Sequence, residues 1–275
     1  ILFVHPFVEA LAGRGADAVD VQRDDSHPCN APRVWIGMPA RITKPPYFWH
    51  TLFVRGMDSA MQDHKSRFFE LALRKGNLRF GSFTLKSGRV SPYFFNAGGF
   101  DDGASLSELA DCYADAIVES GISFDMLFGP AYKGIPLAAA TAIALNARHG
   151  RNVPYAFNRK EAKDHGEGGT VVGAPLAGKV LVIDDVISAG TSMRESIDII
   201  IANGADTAGI TIALDRQERG TGRLSAAQEV QSEYGVPCVA IAGLDDLIHY
   251  LESKKGNNID INAIQEYRER YGTQE

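Results

Sequence analysis

Cysteine is scarce in this sequence, and its three cysteines are far apart: Cys29, Cys112 and Cys238. No Cys-x-x-Cys pair is present, so the spacing signals neither a zinc site nor a disulfide framework. Isolated cysteines in odd number are typical of free, buried thiols in a reducing compartment. We therefore expect a protein that works in the cytoplasm.

Long apolar runs and an excess of positive charge are also missing. No stretch approaches the ~18 residues needed to cross a bilayer, and the opening Ile-Leu-Phe-Val lacks the basic flank of a secretory signal. The formal net charge is −6, whereas nucleic-acid-binding proteins commonly present a basic face. From these absences we predict that the protein binds neither a membrane nor a nucleic acid. An anionic ligand stays open, because a few local cations can dominate one cleft.

The first sixty residues differ from the rest of the chain. Both tryptophans and six of the twelve prolines lie there, and no helical or strand periodicity persists. We expect residues 1–60 to be an atypical leader, irregular or disordered, upstream of the folded domain. Its many acidic residues argue against a transit peptide. A genuine binding appendage is the alternative.

From residue 61 onward the pattern predicts an α/β domain. Apolar residues at 68–73 predict a helix that stops at Lys75-Gly76, and the runs around Lys86-Ser87-Gly88 predict a hairpin over residues 80–95. Further helices are expected over residues 105–120, 134–148, 191–203, 223–234 and 260–271, the last on the surface. Strands are expected at Met126–Phe128, Pro154–Phe157, Val180–Ile183, Gly209–Leu214 and Cys238–Ile241. This alternation predicts a central parallel sheet flanked by helices, with a ligand at the carboxyl ends of its strands.

Two neighbouring carboxylates follow one of these strands. Val180–Ile183 is apolar throughout, Asp184 and Asp185 come next, and a loop of small residues leads to a helix near Thr191. The N–H groups of such a loop and helix start can bind phosphate. Two adjacent acids suit the neighbouring hydroxyls of a ribose. A plain helix cap is one alternative. The Mg²⁺ site of a receiver domain is another, although there the acids follow the first strand of the domain.

A dense cluster of cations follows the strand predicted at Pro154–Phe157. Arg159, Lys160, Lys163 and His165 lie within seven residues, and glycines follow at 166, 168 and 169. The glycines favour a mobile hinge. A solvated charge run is the ordinary explanation of such a cluster. A loop that closes over an anionic ligand is the functional one.

The stretch from Val180 to Ser192 is similar to the motif by which type I phosphoribosyltransferases bind phosphoribosyl pyrophosphate (PRPP). Four other stretches resemble the orotate phosphoribosyltransferases, the bacterial form most of all: residues 83–96, 128–136, 157–169 and 214–220. The resemblance covers about residues 61–271. It implies the type I phosphoribosyltransferase fold over residues 61–275, with a small N-terminal hood at about 61–100 and a core at about 101–255.

The activity that the resemblance implies is transfer of the ribosyl phosphate of PRPP to N1 of orotate. The products are orotidine 5′-monophosphate and pyrophosphate, in the de novo biosynthesis of the pyrimidine nucleotide UMP. A phosphoribosyltransferase for another base is one alternative. A non-catalytic regulator that senses PRPP is another, since one fold can host several functions.

The resemblance also assigns roles to single residues. Catalytic roles fall on Asp184, Asp185, Lys163 and His165, and either of the last two can pass a proton to the leaving group. Contacts with orotate fall on Phe94, Phe95, Ser188 and Arg216. Ser188 stands where many relatives have threonine. Contacts with PRPP fall on Lys86, Tyr132, Lys133, Arg159, Lys160, Lys163, His165, Asp184, Asp185, Val186, Ile187, Ser188, Ala189, Gly190, Thr191 and Ser192.

Each of these assignments has an ordinary alternative. Lys86 and Lys133 fit solvated turn lysines, and an ion pair with Asp215 or Glu218 would account for Arg216. The phenylalanines at 94 and 95 are of a type that usually packs in a core. The resemblance further implies Mg²⁺, carried mainly by PRPP and aided by one acid of the 184–185 pair. It also implies a homodimer whose active sites are shared through the loop at residues 159–169.

Overall fold

The computed structural model describes residues 64–85, 87–163, 169–187, 190–220, 222–254 and 259–273. The leader predicted over residues 1–60 lies outside these ranges. Within them, no helix is both long enough and apolar enough to cross a membrane.

Helices and strands alternate through most of the described chain. The helices are α1 (His64–Arg74), α2 (Gly103–Ser120), α3 (Gly134–His149), α4 (Thr191–Ala202), α5 (Ala226–Tyr234), α6 (Leu244–Ser253) and α7 (Ile261–Tyr271). The strands are β1 (Leu78–Thr84), β2 (Val90–Phe95), β3 (Met126–Gly129), β4 (Tyr155–Lys163), β5 (Gly169–Gly173), β6 (Lys179–Ile183), β7 (Asp206–Asp215) and β8 (Cys238–Gly243).

The strands form two sheets. β1 and β2 make an antiparallel hairpin, as predicted, with an irregular register between Phe80 and Phe83. The other six strands lie in the order β5-β4-β3-β6-β7-β8. All neighbours in this sheet are parallel except β4 and β5, which pair antiparallel at one edge. The predicted parallel sheet is therefore confirmed, with an antiparallel edge strand that the sequence did not predict.

The central strand β6 is buried on both faces and divides the core in two. Leu181 and Ile183 pack into one apolar cluster with α1, α2, α3, α6 and α7. Val180 and Val182 pack into a second cluster with α4 and α5. This alternation follows from the two-residue period of a strand, and burying such a side chain contributes roughly 1.5–3 kcal/mol. The end of β6 is thereby held rigidly on both sides.

Two helices depart from the prediction. The helix α6 follows β8 directly and has no counterpart among the predicted helices. The closing helix α7 was expected on the surface, yet Ile264 is fully buried and Tyr267 is 5% exposed. One side of α7 packs on β2 and α6, because its few apolar residues recur at helical spacing and cover the hairpin.

Candidate active site

The carboxyl ends of three adjacent strands bring the predicted site residues to one edge of the sheet. Lys133 follows β3, Asp184 and Asp185 follow β6, and Arg216 follows β7. The backbone N–H of Asp184 donates to the carbonyl of Thr211 at 3.0 Å, and that of Ala213 donates to the carbonyl of Asp185 at 2.9 Å. Parallel pairing of β6 with β7 thus places the acid pair at the carboxyl edge of the sheet, next to the start of the loop after β7.

The acid pair is buried and partly neutralised. Asp184 is 8% exposed and Asp185 is 6% exposed. The Lys133 ammonium donates to Asp185 Oδ2 at 2.6 Å. The backbone N–H of Asp185 donates to Asp184 Oδ1 at 2.9 Å, and that of Val186 donates to Asp185 Oδ1 at 2.8 Å. The contact between Lys133 and Asp185 brings two predicted PRPP residues together.

Neither acid caps the helix that follows. The residue before α4 is Gly190, in the left-handed conformation with φ 73°. The hydrogen bonds given above join the two carboxylates to Lys133 and to the N–H groups of Asp185 and Val186, not to a backbone N–H of α4. The hydroxyl of Ser192 lies 3.5 Å from Asp184 Oδ2, at the outer limit for a hydrogen bond. The helix-cap alternative for the acid pair is therefore wrong. The first N–H groups of a helix have no partner inside the helix, so those of α4 can serve a ligand.

Asp184 is the most strongly perturbed carboxyl group at this edge. Burial, and after it the neighbouring charge of Asp185, together raise its pKa to about 7 against the opposing effects of the Asp185 N–H and of Lys133. A ligand that offers hydroxyl donors or a cation would favour the carboxylate form. Perturbed carboxyl groups of this kind are common at functional sites.

We expect Asp184→Asn to stabilise the ligand-free protein in a pH-dependent way. Asp184 has a higher pKa folded than unfolded, so its favourable contribution is present below about pH 4 and is lost as the pH rises through about 7. Asparagine cannot ionise, so the variant should gain stability relative to wild type across this window, by a few kcal/mol at most. Thermal denaturation from pH 4 to pH 8 measures the difference. The exposed Asp198→Asn serves as the control, and a pH-independent difference would contradict the expectation.

Two glycines let α3 begin close to the acid pair. A Cβ on Gly129 would lie 2.1 Å from the carbonyl oxygen of Gly134. A Cβ on Gly134 would lie 2.8 Å from the carbonyl oxygen of Ile183. Side chains at these positions would force the chain segments apart. The short loop between β3 and α3 therefore places Lys133 within reach of Asp185.

The predicted cation cluster occupies a strand before it reaches the predicted loop. The resemblance implied a loop over residues 159–169, but residues 159–163 extend β4, and β5 begins at Gly169. Lys163 pairs with Gly169 across the two strands. The prediction of a loop from 159 onward is therefore wrong in this part, because antiparallel pairing with β5 continues the strand.

Part of the cation cluster meets the loop after β3. The Lys160 ammonium lies 5.2 Å from the centre of the Tyr132 ring, which is a cation–π distance. The side chain of Asn158 accepts a hydrogen bond from the backbone N–H of Ala131 at 2.8 Å. A cleft of about 310 Å³ is lined by Tyr132, Ile135, Phe157, Asn158, Arg159, Lys160 and Glu161. The structure thus brings Tyr132, Arg159 and Lys160 together in one cleft, and Tyr132 directly precedes Lys133, the lysine that contacts Asp185.

Arg216 is largely buried and forms one of the two ion pairs considered from the sequence. Its Nε donates to Glu218 Oε1 at 2.9 Å, and its Nη2 donates to the same oxygen and to Ser91 Oγ. Its guanidinium carbon lies 4.4 Å from the centre of the Tyr93 ring. Asp215 instead accepts from the backbone N–H of Gln217 at 2.9 Å. The ion pair with Glu218 is thus formed, and it does not exclude a second carboxylate.

Phe94 and Phe95 point to opposite sides of strand β2. The Phe95 ring packs edge-on against Phe68 at 5.7 Å and belongs to the margin of the larger core cluster. The Phe94 ring lies 5.6 Å from Phe83, and the Arg79 guanidinium lies over Phe94 at 5.6 Å. The Phe95 ring thus packs against the core while staying partly exposed, and contact of either phenylalanine with orotate stays a prediction.

Some predicted site residues lie outside the described ones: Lys86, His165, Ser188 and Ala189. Conversely, the structure adds residues that the sequence did not single out. Tyr113 is completely buried, and its hydroxyl donates to the carbonyl oxygen of Asp184 at 2.7 Å. It holds the end of β6 from helix α2. A buried tyrosine among alanines and leucines carries no local signal of this contact.

Comparisons with known proteins agree with this architecture. A family model described as "Phosphoribosyl transferase domain" matches residues 101–234. The orotate phosphoribosyltransferase of Thioalkalivibrio sulfidiphilus is 60% identical over 212 residues, covering 77% of this chain and 100% of that protein. The one from Pseudomonas aeruginosa is 58% identical with the same coverage. The crystal structure of the Francisella tularensis enzyme superposes with a TM-score of 0.68 at 42% identity, covering 75% of this chain and 99% of that chain. The predicted fold class is confirmed, and this chain belongs to the family of orotate phosphoribosyltransferases.

Proposed function

We propose that this chain transfers the ribosyl phosphate of PRPP to N1 of orotate, yielding orotidine 5′-monophosphate and pyrophosphate for pyrimidine biosynthesis. The observation that carries this proposal is the position of the acid pair and of Arg216 at the ends of adjacent strands. The acids Asp184 and Asp185 suit the hydroxyls of a ribose. The planar guanidinium of Arg216 suits a carboxylate, and orotate carries one.

The reaction needs charge stabilisation and no protein nucleophile. Pyrophosphate leaves C1 of the ribose more easily when its negative charge is neutralised. We assign that neutralisation to Lys133, which contacts Asp185, and to Arg159 and Lys160 of β4, which line a cleft with Tyr132. As the bond to pyrophosphate breaks, the ribose takes on positive charge, as in other glycosyl transfers. Asp184 and Asp185 would then hold the hydroxyls and stabilise that charge.

We assign the proton that reaches the leaving group to Lys163 or His165. We further propose that the residues around them close over PRPP from the partner subunit of a homodimer. Closure would keep water away from the activated sugar. This arrangement leaves the acid pair on one subunit and the proton donor on the other, which makes it testable by mixing variants.

The donor set at the acid pair fits a Mg²⁺ ion that arrives with PRPP. The described residues contain no group of three or more His, Cys, Asp or Glu side chains placed to hold a metal. Two adjacent carboxylates, one already paired with Lys133, can supply at most part of a shell of oxygen ligands. Mg²⁺ is commonly held by one or two carboxylates together with substrate phosphates. When bound, it would neutralise charge on the pyrophosphate oxygens.

The proposal includes a cytoplasmic location. Within the described part of the chain, Cys112 and Cys238 form no disulfide. Burial raises the pKa of the Cys112 thiol to about 11 and that of Cys238 to about 12. Such thiols stay protonated and unreactive. Free, inert cysteines are what a reducing compartment favours.

Mixing the protein with orotate, PRPP and Mg²⁺ tests the proposed activity. We expect the absorbance of orotate to fall, and orotidine 5′-monophosphate and pyrophosphate to appear in equal amounts. Adenine or uracil in place of orotate should give no product, because neither carries the carboxylate that Arg216 would bind. Consumption of another base with no loss of orotate would contradict the proposal.

We expect a shortened chain that starts at Met61 to fold and to turn over at the rate of the full chain. The helix α1 begins at His64 and contributes Phe68 and Phe69 to the larger core cluster. Moreover, 212 residues of this chain match the full length of a curated relative. Thermal denaturation and initial rates of both chains measured in parallel check this. Insolubility or lost activity of the shortened chain would show that residues 1–60 are needed.

A further inference from the structure

Glu218 forms the ion pair with Arg216, and the proposed reaction has so far given it no task. We propose that Glu218 is a positioning residue for substrate recognition. It holds the Nε edge of the Arg216 guanidinium so that Nη1 is presented to the carboxylate of orotate. This inference rests on the proposed function, since it concerns how the same site selects its base.

The hydrogen bonds to Glu218 and Ser91 use Nε and Nη2 of the guanidinium and leave Nη1 for a ligand. Glu218 Oε1 accepts from Nε at 2.9 Å and also from Nη2, and Ser91 Oγ lies 3.2 Å from Nη2. Nη1 of Arg216 donates to neither Glu218 nor Ser91, and the Tyr267 hydroxyl is a further polar group beside the two side chains. A guanidinium has five N–H donors in a fixed plane, so fixing Nε and Nη2 also fixes the direction of the Nη1 donors.

The surroundings of Arg216 make this orientation rigid. The side chain of Arg216 is 22% exposed and that of Glu218 is 14% exposed. The guanidinium lies against the fully buried Tyr93 ring, which limits its tilt. In such a poorly solvated place a lone cation would be costly. Glu218 therefore balances the charge and sets the direction at the same time.

Glu218 can stay in place when a second carboxylate arrives. Its Oε2 lies 3.9 Å from Nη1 of Arg89, so it faces two guanidinium groups. Arg89 is itself held by the carbonyl oxygen of Arg219, to which its Nη1 donates at 2.9 Å. A substrate carboxylate on Arg216 would thus give two anions and two cations. This balance favours addition of orotate over displacement of Glu218.

The backbone around Glu218 is held by the segment after α7. Glu218 forms an isolated antiparallel bridge with Gly272. On either side, the N–H of Arg219 donates to the carbonyl of Tyr271 and the N–H of Thr273 donates to the carbonyl of Gln217, both at 2.9 Å. Gln217 adopts a left-handed backbone with φ 51°. The turn that carries Arg216 and Glu218 is therefore braced from outside the sheet.

The first test compares the two substrates in Glu218 variants. Glu218→Ala should raise the KM for orotate on the order of tenfold, because the guanidinium loses its fixed direction. The KM for PRPP should change by less than about twofold. Glu218→Gln keeps an acceptor oxygen and nearly the same shape, so it should recover most of the loss. Glu108→Ala, which removes a surface partner of Arg74, is the matched control.

A double-mutant cycle then shows whether Glu218 acts through Arg216. Arg216→Ala should raise the KM for orotate by about a hundredfold, because a carboxylate would lose its partner. Adding Glu218→Ala to Arg216→Ala should cost nothing more, whereas independent residues would give additive losses. If Glu218→Ala does not fold, Glu218→Gln takes its place, with a smaller rise in the KM for orotate alone.

Additive losses from Arg216→Ala and Glu218→Ala would contradict the role of Glu218. An equal rise in the KM values for orotate and PRPP would contradict it as well, and so would an unchanged KM for orotate in both folded Glu218 variants. Wild-type protein is assayed beside them. Absence of orotate turnover in the wild type would refute the proposed function. Turnover in the wild type with unchanged KM values in the variants would refute the role of Glu218 alone.

Discussion

The double variant Asp184→Asn/Asp185→Asn is expected to keep its fold and to lose turnover by about a hundredfold or more. Asparagine preserves the size of each side chain and can still accept the N–H groups of Asp185 and Val186. It removes the negative charge that would face the ribose as positive charge develops there. Lys133 loses its ion-pair partner, but its side chain is 56% exposed, so water can solvate the ammonium at little cost.

Initial rates of orotate consumption and thermal denaturation, measured together, check this expectation. The control is Asp198→Asn on the exposed side of α4, which should leave both quantities unchanged. Near-normal turnover in the double variant would show that the acid pair serves only the packing of the strand end. Unfolding would instead show that the buried carboxylates are needed for stability, contrary to the stabilisation expected of Asp184→Asn.

Restored activity in mixed dimers is the second large effect that we expect. One variant lacks the acid pair and the other carries Lys163→Ala, and each alone should be nearly inactive. If the segment with Lys163 serves the neighbouring site, a mixed dimer has one site with both defects and one with none. Random exchange of equal amounts makes about half of the dimers mixed, so activity should return to about a quarter of wild type.

Subunit exchange is verified with two affinity tags, one on each variant, and purification on both in turn. Doubly tagged dimers with no recovered activity would mean that Lys163 serves the site of its own subunit. A monomeric protein at working concentrations, seen by light scattering, would contradict the shared site from the outset. Wild-type dimers carrying both tags provide the reference rate.

The acid pair and its strand were predictable from the sequence because their signals are local. Val180–Ile183 is a continuous apolar run, and both acids follow it directly. Such a run must be buried on both faces, and its end must lie at the edge of the sheet. The same reasoning placed Lys133 at the edge where Asp184 lies and Arg216 just past a strand. These positions follow from chain order and from the rules of parallel sheets.

The missed elements have weak local signals for different reasons. Gly169–Gly173 has glycines at both ends, and its strand character comes from pairing with β4. Edge strands depend on such context more than on their own composition. Leu244–Ser253 follows a strand with no intervening turn, so the two apolar segments run together. The Asp246 side chain accepts from the Gly243 N–H at 2.8 Å, and an acid three residues after Gly243 could have marked the helix start.

Contacts between distant parts of the chain were beyond sequence reasoning. Tyr113 and Asp184 are 71 residues apart, and Arg216 and Ser91 are 125 residues apart. No periodicity or spacing encodes such pairs, because they depend on how finished elements pack. Glu218 is a partial exception: it was considered as a partner of Arg216, but its effect on the direction of the guanidinium required the structure.

Gly129 and Gly134, at the contact of β3, α3 and β6, determine whether the backbone of the site loses its conformational entropy during folding or during ligand binding. Because Gly129 and Gly134 bring three backbone segments into contact, the spacing between Lys133 and the acid pair is set by main chain rather than by side chains. Main chain that is already fixed has little freedom left to give up when a ligand arrives. The part of the site formed by Lys133 and the acid pair is thus preorganised, and its conformational entropy is lost during folding rather than during ligand binding.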